Sequence, residues 1–367
     1  STVGGAGSLI LNGVVSGAFN LAKAGSGTIT LSGVNTYSGT TTVSTGILSI
    51  GGVGGLGATS NTIVTSGATL DISFSSGTLS NTNSMTLNGA SALTITGASD
   101  IISNAIVLGS NSSLGGTGSA TLSGVISGPF DLTKEGSGSI TLSGVNTYSG
   151  VTTVNAGTLG IGGIGGLGST SSTSVTDGAT LAISFSGATL SNTNSITLNG
   201  SNALSMIGTS ATLSNNIVLA TNSTLSGTGS GTLGGVISGS GINITKSGTG
   251  TITLSGANTY TGATNINQGI LVAAHANALG TTAGATIVAS GATLEINGVA
   301  VGNEAVTING AGVGSLGAIK GVGTSSLSGA VTMASNSSVG GTGSLTLSGV
   351  ISGAFDLTKV DVGTLIL

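Results

Sequence analysis

Short runs in which aliphatic residues alternate with Ser, Thr or Asn recur throughout the chain. In the first third they read SLIL, TITL, ILSI, TLDISF, SMTL, ALTI and AIVL. A period of two is typical of a half-buried β-strand. Glycine-rich segments such as LNG, LSG and GVGGLG separate the runs and predict turns. The pattern therefore predicts an all-β chain with strands of three to five residues.

A long internal repeat organises these strands. The sequence of Gly13–Gly39 returns at Gly124–Gly150 and Gly235–Gly262, and its first part returns from Gly349. These copies start 111, 111 and 114 residues apart. We divide the chain into repeat units 13–123, 124–234 and 235–348, with a partial fourth over 349–367. Because no linker separates the units, we expect one continuous β-solenoid over residues 1–367.

The length of the unit and the size of its side chains favour a parallel β-helix. A unit of this length exceeds the roughly 20–45 residues of a single solenoid turn, so it must contain several coils. Strands this short fit coils of about 20–24 residues, which gives about five whole coils per unit and about sixteen in the chain. Sandwiches and propellers need longer strands and more aromatic residues, whereas aromatic residues make up only 2% here. We expect a right-handed parallel β-helix with Asn, Ser and Thr ladders.

Composition and charge exclude several classes of protein. Gly contributes 70 residues, and Gly at this density disfavours helices. Cys is absent, which excludes disulfides, thiolate catalysis and Cys-bound metal. A net charge of −4 without basic stripes argues against nucleic acid as a partner. No apolar run is long enough for a transmembrane helix, and no signal peptide begins at Ser1, so we expect a mature fragment or an excerpt.

The segment Leu132–Leu159 resembles a known repeat. It reads LTKEGSGSITLSGVNTYSGVTTVNAGTL and is similar to the passenger-associated strand repeat of Gram-negative autotransporters. The same pattern lies at Leu21–Leu48 and Ile244–Leu271. The resemblance implies a secreted passenger that is folded as a parallel β-helix and exported through an outer-membrane barrel. It also implies an extracellular or cell-surface location.

Two residue types occupy fixed positions in the repeat and are candidates for surface contacts. They are Lys23, Lys134 and Lys246, with a fourth copy at Lys359, and Tyr37, Tyr148 and Tyr260. One interpretation is a periodic array that binds a ligand, because Tyr offers an amphipathic contact for sugars or proteins. The favoured interpretation is structural: a solvated Lys at a coil edge, and a Tyr that caps the core and exposes its hydroxyl.

The sequence offers little for catalysis. A glycosidase or lyase needs clustered acids, but Asp71, Ala182 and Glu295 share one repeat position, and the chain has no Arg. His275 is the only His, so neither a catalytic triad nor a metal cluster is expected. Thr-x-Thr pairs at Thr28/Thr30 and Thr251/Thr253 recur once per unit, which is too sparse for an ice-binding array. We predict no catalytic, cofactor or metal site.

These observations predict a non-enzymatic passenger that acts as a stalk, fibre or adhesin at the cell surface. An adhesin with a specific site for a glycan or host protein is one alternative, and a polysaccharide-degrading enzyme is another. The segments Ser8–Asn20 and Ser344–Asp356 are nearly the same coil. The chain is therefore either an excerpt of a longer array or a protomer that stacks on itself head to tail into filaments.

Overall fold

The computed structural model describes residues 1–81 and 83–367, and it confirms the predicted parallel β-solenoid. The solenoid has about 17 turns. Two compact units, Ser1–Leu181 and Ala182–Leu367, divide the chain. One short 3-10 helix, Val313–Ser315, occurs in the second unit. Among the described residues, no helix has the length and apolar character needed to cross a membrane.

The strands follow one another at short intervals. In chain order they are β1 (Thr2–Gly4), β2 (Leu9–Leu11), β3 (Leu21–Ala24), β4 (Thr28–Leu31), β5 (Thr41–Val43), β6 (Gly46–Ile50), β7 (Thr62–Val64), β8 (Ala68–Ile72), β9 (Met85–Ile95), β10 (Asp100–Ile102), β11 (Ile106–Gly115), β12 (Ser119–Leu122), β13 (Ile126–Ser127), β14 (Leu132–Lys134), β15 (Ser139–Leu142), β16 (Thr152–Val154), β17 (Thr158–Ile161), β18 (Thr173–Val175), β19 (Thr180–Ile183), β20 (Ile196–Leu198) and β21 (Leu204–Met206). They continue as β22 (Ala211–Leu213), β23 (Ile217–Leu219), β24 (Ser223–Ser226), β25 (Ser230–Leu233), β26 (Ile237–Ser238), β27 (Ile244–Lys246), β28 (Thr251–Leu254), β29 (Thr264–Ile266), β30 (Gly269–Ala273), β31 (Thr286–Val288), β32 (Ala292–Asn297), β33 (Ala300–Val301), β34 (Val306–Gly310), β35 (Ile319–Val322), β36 (Thr324–Leu327), β37 (Val331–Gly341), β38 (Ser344–Leu347), β39 (Ile351–Ser352), β40 (Leu357–Lys359) and β41 (Thr364–Ile366). Most have the predicted length. The exceptions are the long strands β9, β11 and β37, the six-residue β32 and the two-residue β13, β26, β33 and β39.

Parallel pairing stacks each coil on the preceding one. One column of paired residues in the first unit runs Leu21, Thr41, Thr62, Met85, Ile106 and Ile126. Its steps are 20 to 23 residues, as the sequence predicts. The coil that begins at Ile106 has three strand positions, the two halves of β11 and then β12.

The repeat unit does not contain a whole number of coils. Lys134 lies in the column of Leu114, Leu93, Leu70, Leu48 and Ile29, not in the column of Lys23. Ile29 belongs to β4, the strand after the one that holds Lys23, so a unit contains five coils and one further strand position. In the second unit, Lys359 likewise lies in the column of Val339, Ile319, Leu294, Leu271 and Ile252.

The expectation of whole coils is therefore wrong, and the three-strand coil explains why. Hydrogen bonding between coils requires only that strands stack on strands. A repeat can end one third of the way around a coil, and the first strand of the next repeat still stacks on a strand of the preceding coil. Each new copy of the motif then begins on the neighbouring face.

The core is a set of aliphatic columns. In β15 the side chains of Ile140 and Leu142 are buried, while Ser139 and Thr141 are half-exposed on the outer face. The same alternation holds in β4 and β28. Stacking of near-identical coils therefore removes apolar surface from water on the inner side of each strand, at roughly 25 cal/mol per Å².

Candidate functional site

Each repeat buries its Lys side chain, contrary to the predicted surface position. The side chains of Lys23, Lys134 and Lys246 are 0%, 1% and 0% exposed. Residues two apart in a strand face the same side, and the buried Leu21, Leu132 and Ile244 therefore carry the Lys inward with them. Only Lys359, the fourth copy, is exposed.

Each buried ammonium group joins two coils. The Nζ atom of Lys134 donates to the carbonyl oxygens of Glu135 (2.7 Å), Gly136 (2.9 Å) and Ala156 (3.1 Å). The first two acceptors belong to the turn after its own strand, and the third belongs to the next coil. Since an ammonium group has three donors, all of them are used.

The other two Lys residues repeat this arrangement. Lys246 donates to three carbonyl oxygens at 2.7–2.9 Å, and Lys23 donates to three at 2.8–3.1 Å. Burial lowers the pKa of Lys134 and of Lys246 to about 8, and it also lowers the pKa of Lys23. A Lys with a lowered pKa is a candidate nucleophile, but these three have no access to a ligand. They act as staples between coils.

The Tyr side chains are also buried, so the predicted exposed hydroxyl is wrong. Tyr37, Tyr148 and Tyr260 are each 0% exposed. The hydroxyl of Tyr148 is hydrogen-bonded to Oγ1 of Thr152 at 3.0 Å, and Thr152 donates to Oγ1 of Thr170 at 3.1 Å. Thr170 in turn donates to the carbonyl oxygens of Gly150 and Ser172. The chain of hydroxyls thus satisfies a polar group that packing has removed from water.

The same hydroxyl contact occurs in the other repeats. Tyr37 bonds to Thr41 at 2.9 Å, and Tyr260 bonds to Thr264 at 2.7 Å. Burial raises the pKa of Tyr148 to about 12 and raises that of Tyr37 and Tyr260 as well. All six residues predicted for surface contacts therefore lie inside the solenoid, and the same contacts recur in each repeat.

Sequence reasoning did not single out the Asn of the Asn-Thr-Tyr triplet. Oδ1 of Asn146 accepts from the amide of Ile126 at 2.8 Å, and its Nδ2 donates to the carbonyl of Gly166 at 2.7 Å. Its own coil lies between those two, so one side chain bridges three coils. Asn35 and Asn258 do the same. The available signal was an Asn two residues before every Tyr.

The two acids that share one repeat position, Asp71 and Glu295, are engaged in structural contacts. Asp71, which is 8% exposed, accepts hydrogen bonds from the hydroxyls of Ser49, Thr94 and Thr96. At the equivalent position, Glu295 pairs with Lys320 at 3.1 Å. These contacts lie along the outer columns, between adjacent coils.

Two further carboxyl groups lie in the interior. Glu304 is 4% exposed, accepts from Thr286 Oγ1 at 2.8 Å, and has a pKa that burial raises to about 7. Asp100 is 1% exposed, and within the described part of the chain its oxygens have no partner in hydrogen-bonding geometry. Burial raises the pKa of Asp100, and the amides of Gly77 and Ser76 offset this only partly. Residues 1–81 and 83–367 contain no group of three or more His, Cys, Asp or Glu that could hold a metal ion.

Comparison with known proteins confirms the resemblance carried by the three repeat segments. The passenger-associated-transport-repeat matches residues 21–50, 132–161 and 244–273, which are the segments that hold the buried Lys and Tyr. The chain is similar to the adhesin BmaC autotransporter of Brucella suis biovar 1 (strain 1330), with 36% identity over 149 residues. That match covers 40% of this chain and 4% of the relative. A comparison with solved structures finds no match.

Proposed function

We propose that this chain is part of a secreted autotransporter passenger that acts at the bacterial surface as an adhesin or its stalk, without enzymatic activity. The observation that carries the proposal is the threefold passenger repeat, each copy built into a parallel β-solenoid around the same buried Lys staple. The similarity to a protein named as an autotransporter adhesin supports it.

The placement of the conspicuous residues supports a mechanical role. Lys, Tyr and Asn are the most chemically distinctive residues of the repeat, and all three bond to the protein itself. Two acids at one outer position, Asp71 and Glu295, bond to neighbouring side chains. A retaining or inverting glycosidase instead needs two carboxyl groups that face one substrate. Fibre assembly and a particular binding partner remain predictions from the sequence.

Surface exposure can be tested with single Cys residues in the parent protein on its own cells. Ser137 is exposed in a turn, whereas Ala179 is 0% exposed. We expect Ser137→Cys to react with a membrane-impermeant maleimide on intact cells. Ala179→Cys should react only after denaturation, because its side chain lies in the core.

The unsubstituted parent gives the background labelling. Labelling of Ser137→Cys only after the cells are permeabilised would show that this segment is not displayed, and it would overturn the proposal. Equal labelling of both variants on intact cells would show that the displayed chain is unfolded, which also contradicts it.

A further inference from the structure

Two grooves of the same construction lie on the outer surface, one in each compact unit. The first has a volume of about 330 Å³ and is lined by residues of β10, β12 and β15. The second has a volume of about 280 Å³ and is lined by residues of β22, β25 and β28. Their shared positions are Ser99 with Ser210, Ile101 with Thr212, Ser119 with Ser230, and Thr121 with Thr232. These pairs are each 111 residues apart, so the repeat builds the groove twice.

The floor of each groove is a column of outward side chains from three adjacent coils. Ile101, Thr121 and Thr141 are paired in register in the first groove. Thr212, Thr232 and Thr253 are paired in register in the second. Neighbouring members of such a column are about 4.8 Å apart.

The Thr hydroxyls of these columns make no hydrogen bond to the described protein. Some hydroxyls elsewhere on the outside are engaged: Thr94 and Thr96 donate to Asp71, and Thr65 and Thr176 donate to carbonyl oxygens of the preceding coil. The Thr hydroxyls of the two columns are therefore free donors and acceptors that are fixed on a rigid sheet and half-exposed to solvent.

The grooves offer neither charge nor aromatic rings to a ligand. Asp100 is the one charged residue among those that line them, and its carboxyl group is 1% exposed, in the inward column with Ala120 and Ile140. An ionic ligand would find no counter-charge here. A row of neutral hydroxyls is complementary to a ligand that itself presents neutral hydroxyls at short, regular intervals.

We infer that the two grooves are repeat-encoded subsites for an uncharged polyhydroxylated ligand, a neutral glycan chain. This inference rests on the proposed adhesin role and gives that role a site. The volumes lie near the lower limit of about 300 Å³ for small-molecule sites, which suits one or two sugar rings per groove.

Binding through such sites is weak at one groove and gains strength from repetition. A neutral hydrogen bond contributes little net free energy in water, and these grooves have no aromatic face on which a sugar can stack. A long glycan that binds one groove on each of several neighbouring passengers converts later contacts into intramolecular ones, with avidity gains of about 10²–10⁴. The ligand class is therefore a polymer rather than a free monosaccharide.

The test is affinity electrophoresis of the 367-residue chain through gels that contain a neutral polysaccharide. Dextran, galactomannan and hydroxyethyl cellulose serve as probes. The groove variant replaces two stacked Thr by Val in each groove: Thr121→Val, Thr141→Val, Thr232→Val and Thr253→Val. The matched control replaces two stacked, half-exposed Thr outside the groove in each unit: Thr133→Val, Thr153→Val, Thr224→Val and Thr245→Val.

We expect at least one of the three polysaccharides to retard the unsubstituted chain and the control variant equally. The apparent affinity of the groove variant should fall by about three- to tenfold, because each groove loses at least one hydrogen bond to the ligand. Circular dichroism and the thermal midpoint identify a variant that has not folded, and single-groove pairs of substitutions then replace the quadruple variant.

Either of two results overturns the inference: no retardation by any of the three probes, or equal retardation of the groove and control variants. Neither result contradicts the proposed function, because surface display is measured separately by Cys labelling. A displayed passenger whose grooves bind no glycan would show that the site assignment alone is wrong.

Discussion

At the scale of single residues, the repeat is held together by polar side chains that point inward. Lys134, Tyr148 and Asn146 are all buried, yet each donates to backbone or hydroxyl oxygens of its own or adjacent coils. A buried polar group costs little when it is fully paired and much when a partner is removed. These residues therefore fix the register of the coils, and aliphatic contacts alone tolerate slippage more readily.

The first prediction concerns the Lys staple. Lys134→Met keeps the apolar stem but leaves three carbonyl oxygens without their donor. We expect it to lower the free energy of unfolding by at least about 2 kcal/mol. Urea unfolding monitored by circular dichroism measures the change.

The chain supplies the control at the same repeat position. Lys359 is exposed and donates to one carbonyl oxygen, that of Asp361. Lys359→Met should change stability by less than about 0.5 kcal/mol. If the two substitutions have equal effects, the staple contributes nothing to stability beyond an ordinary surface Lys.

A second prediction concerns pH and Glu304. Its pKa is about 7 in the folded chain against an ordinary value of 4.5, so the folded state holds this proton more tightly than the unfolded state does. The stability contributed by the protonated group is therefore complete below about pH 4.5 and is lost as the pH rises through 7. We expect the thermal midpoint to fall between pH 5 and pH 8.

The other repeats indicate the substitution that removes this effect. Asn83 and Asn194 lie two residues before β9 and β20, as Glu304 lies two residues before β34. Glu304→Asn should flatten the pH dependence of the midpoint between pH 5 and pH 8. An unchanged slope in this variant would assign the pH dependence to another group.

At the scale of the strand and turn, glycine sets how closely the coils approach. The turn between β14 and β15 places Gly138 directly over Gly118, and a Cβ atom at Gly138 would collide with the carbonyl oxygen of Gly118. Gly229 and Gly250 make the same close approach in the second unit. The spacing of the coils is therefore limited by backbone contact at these turns.

This close approach gives a third prediction. Gly138→Ala should cost about 1–3 kcal/mol, because the coils must separate to admit a methyl group. Gly302→Ala is the control, since a Cβ atom there meets nothing within 4 Å. That substitution should be neutral or should stabilise the fold by about 0.4–1 kcal/mol, because Ala lowers the conformational entropy of the unfolded chain. The thermal unfolding midpoints of the two variants measure this difference, and equal midpoints would contradict the steric argument.

At the scale of the whole molecule, the repeat advances by one face from one copy to the next within each compact unit. Ala22 and Ser127 lie in one column, five coils apart, through Thr42, Ile63, Thr86 and Val107. Thr133, the repeat equivalent of Ala22, is paired in another column. Within the first unit, the outer features of the first and second copies therefore face different directions.

The fourth prediction tests this rotation. The chain has no native Cys, so spin labels can be attached at Ala22→Cys with either Ser127→Cys or Thr133→Cys. Electron–electron distances should be close to the axial rise of about 24 Å for the first pair, at about 4.8 Å per coil. The second pair should be longer, since it also spans two faces. A shorter distance for the second pair would restore whole coils per repeat.

The sequence by itself determined the strands, the turns, the coil length and the repeat family. Each of these follows from local pattern: alternation within a strand, glycine at a turn, and a motif that recurs at 13, 124 and 235. It also contained an unused signal for the buried Lys, because Leu21 and Lys23 are two residues apart and must share a face. The general rule that Lys is solvated outweighed that signal.

Only the tertiary structure decided which residues of neighbouring coils meet. Three carbonyl groups from two coils make burial of Lys134 favourable, and no spacing within one strand shows them. The number of coils per repeat is the length of the repeat divided by a coil length that varies from 20 to 23 residues. An error of one residue in each coil accumulates over five coils and obscures the additional third of a turn. The grooves likewise exist only where Ser and Thr of three coils come into register. Contacts along the solenoid axis join residues about 20 apart, so they belong to the stack and not to any single coil.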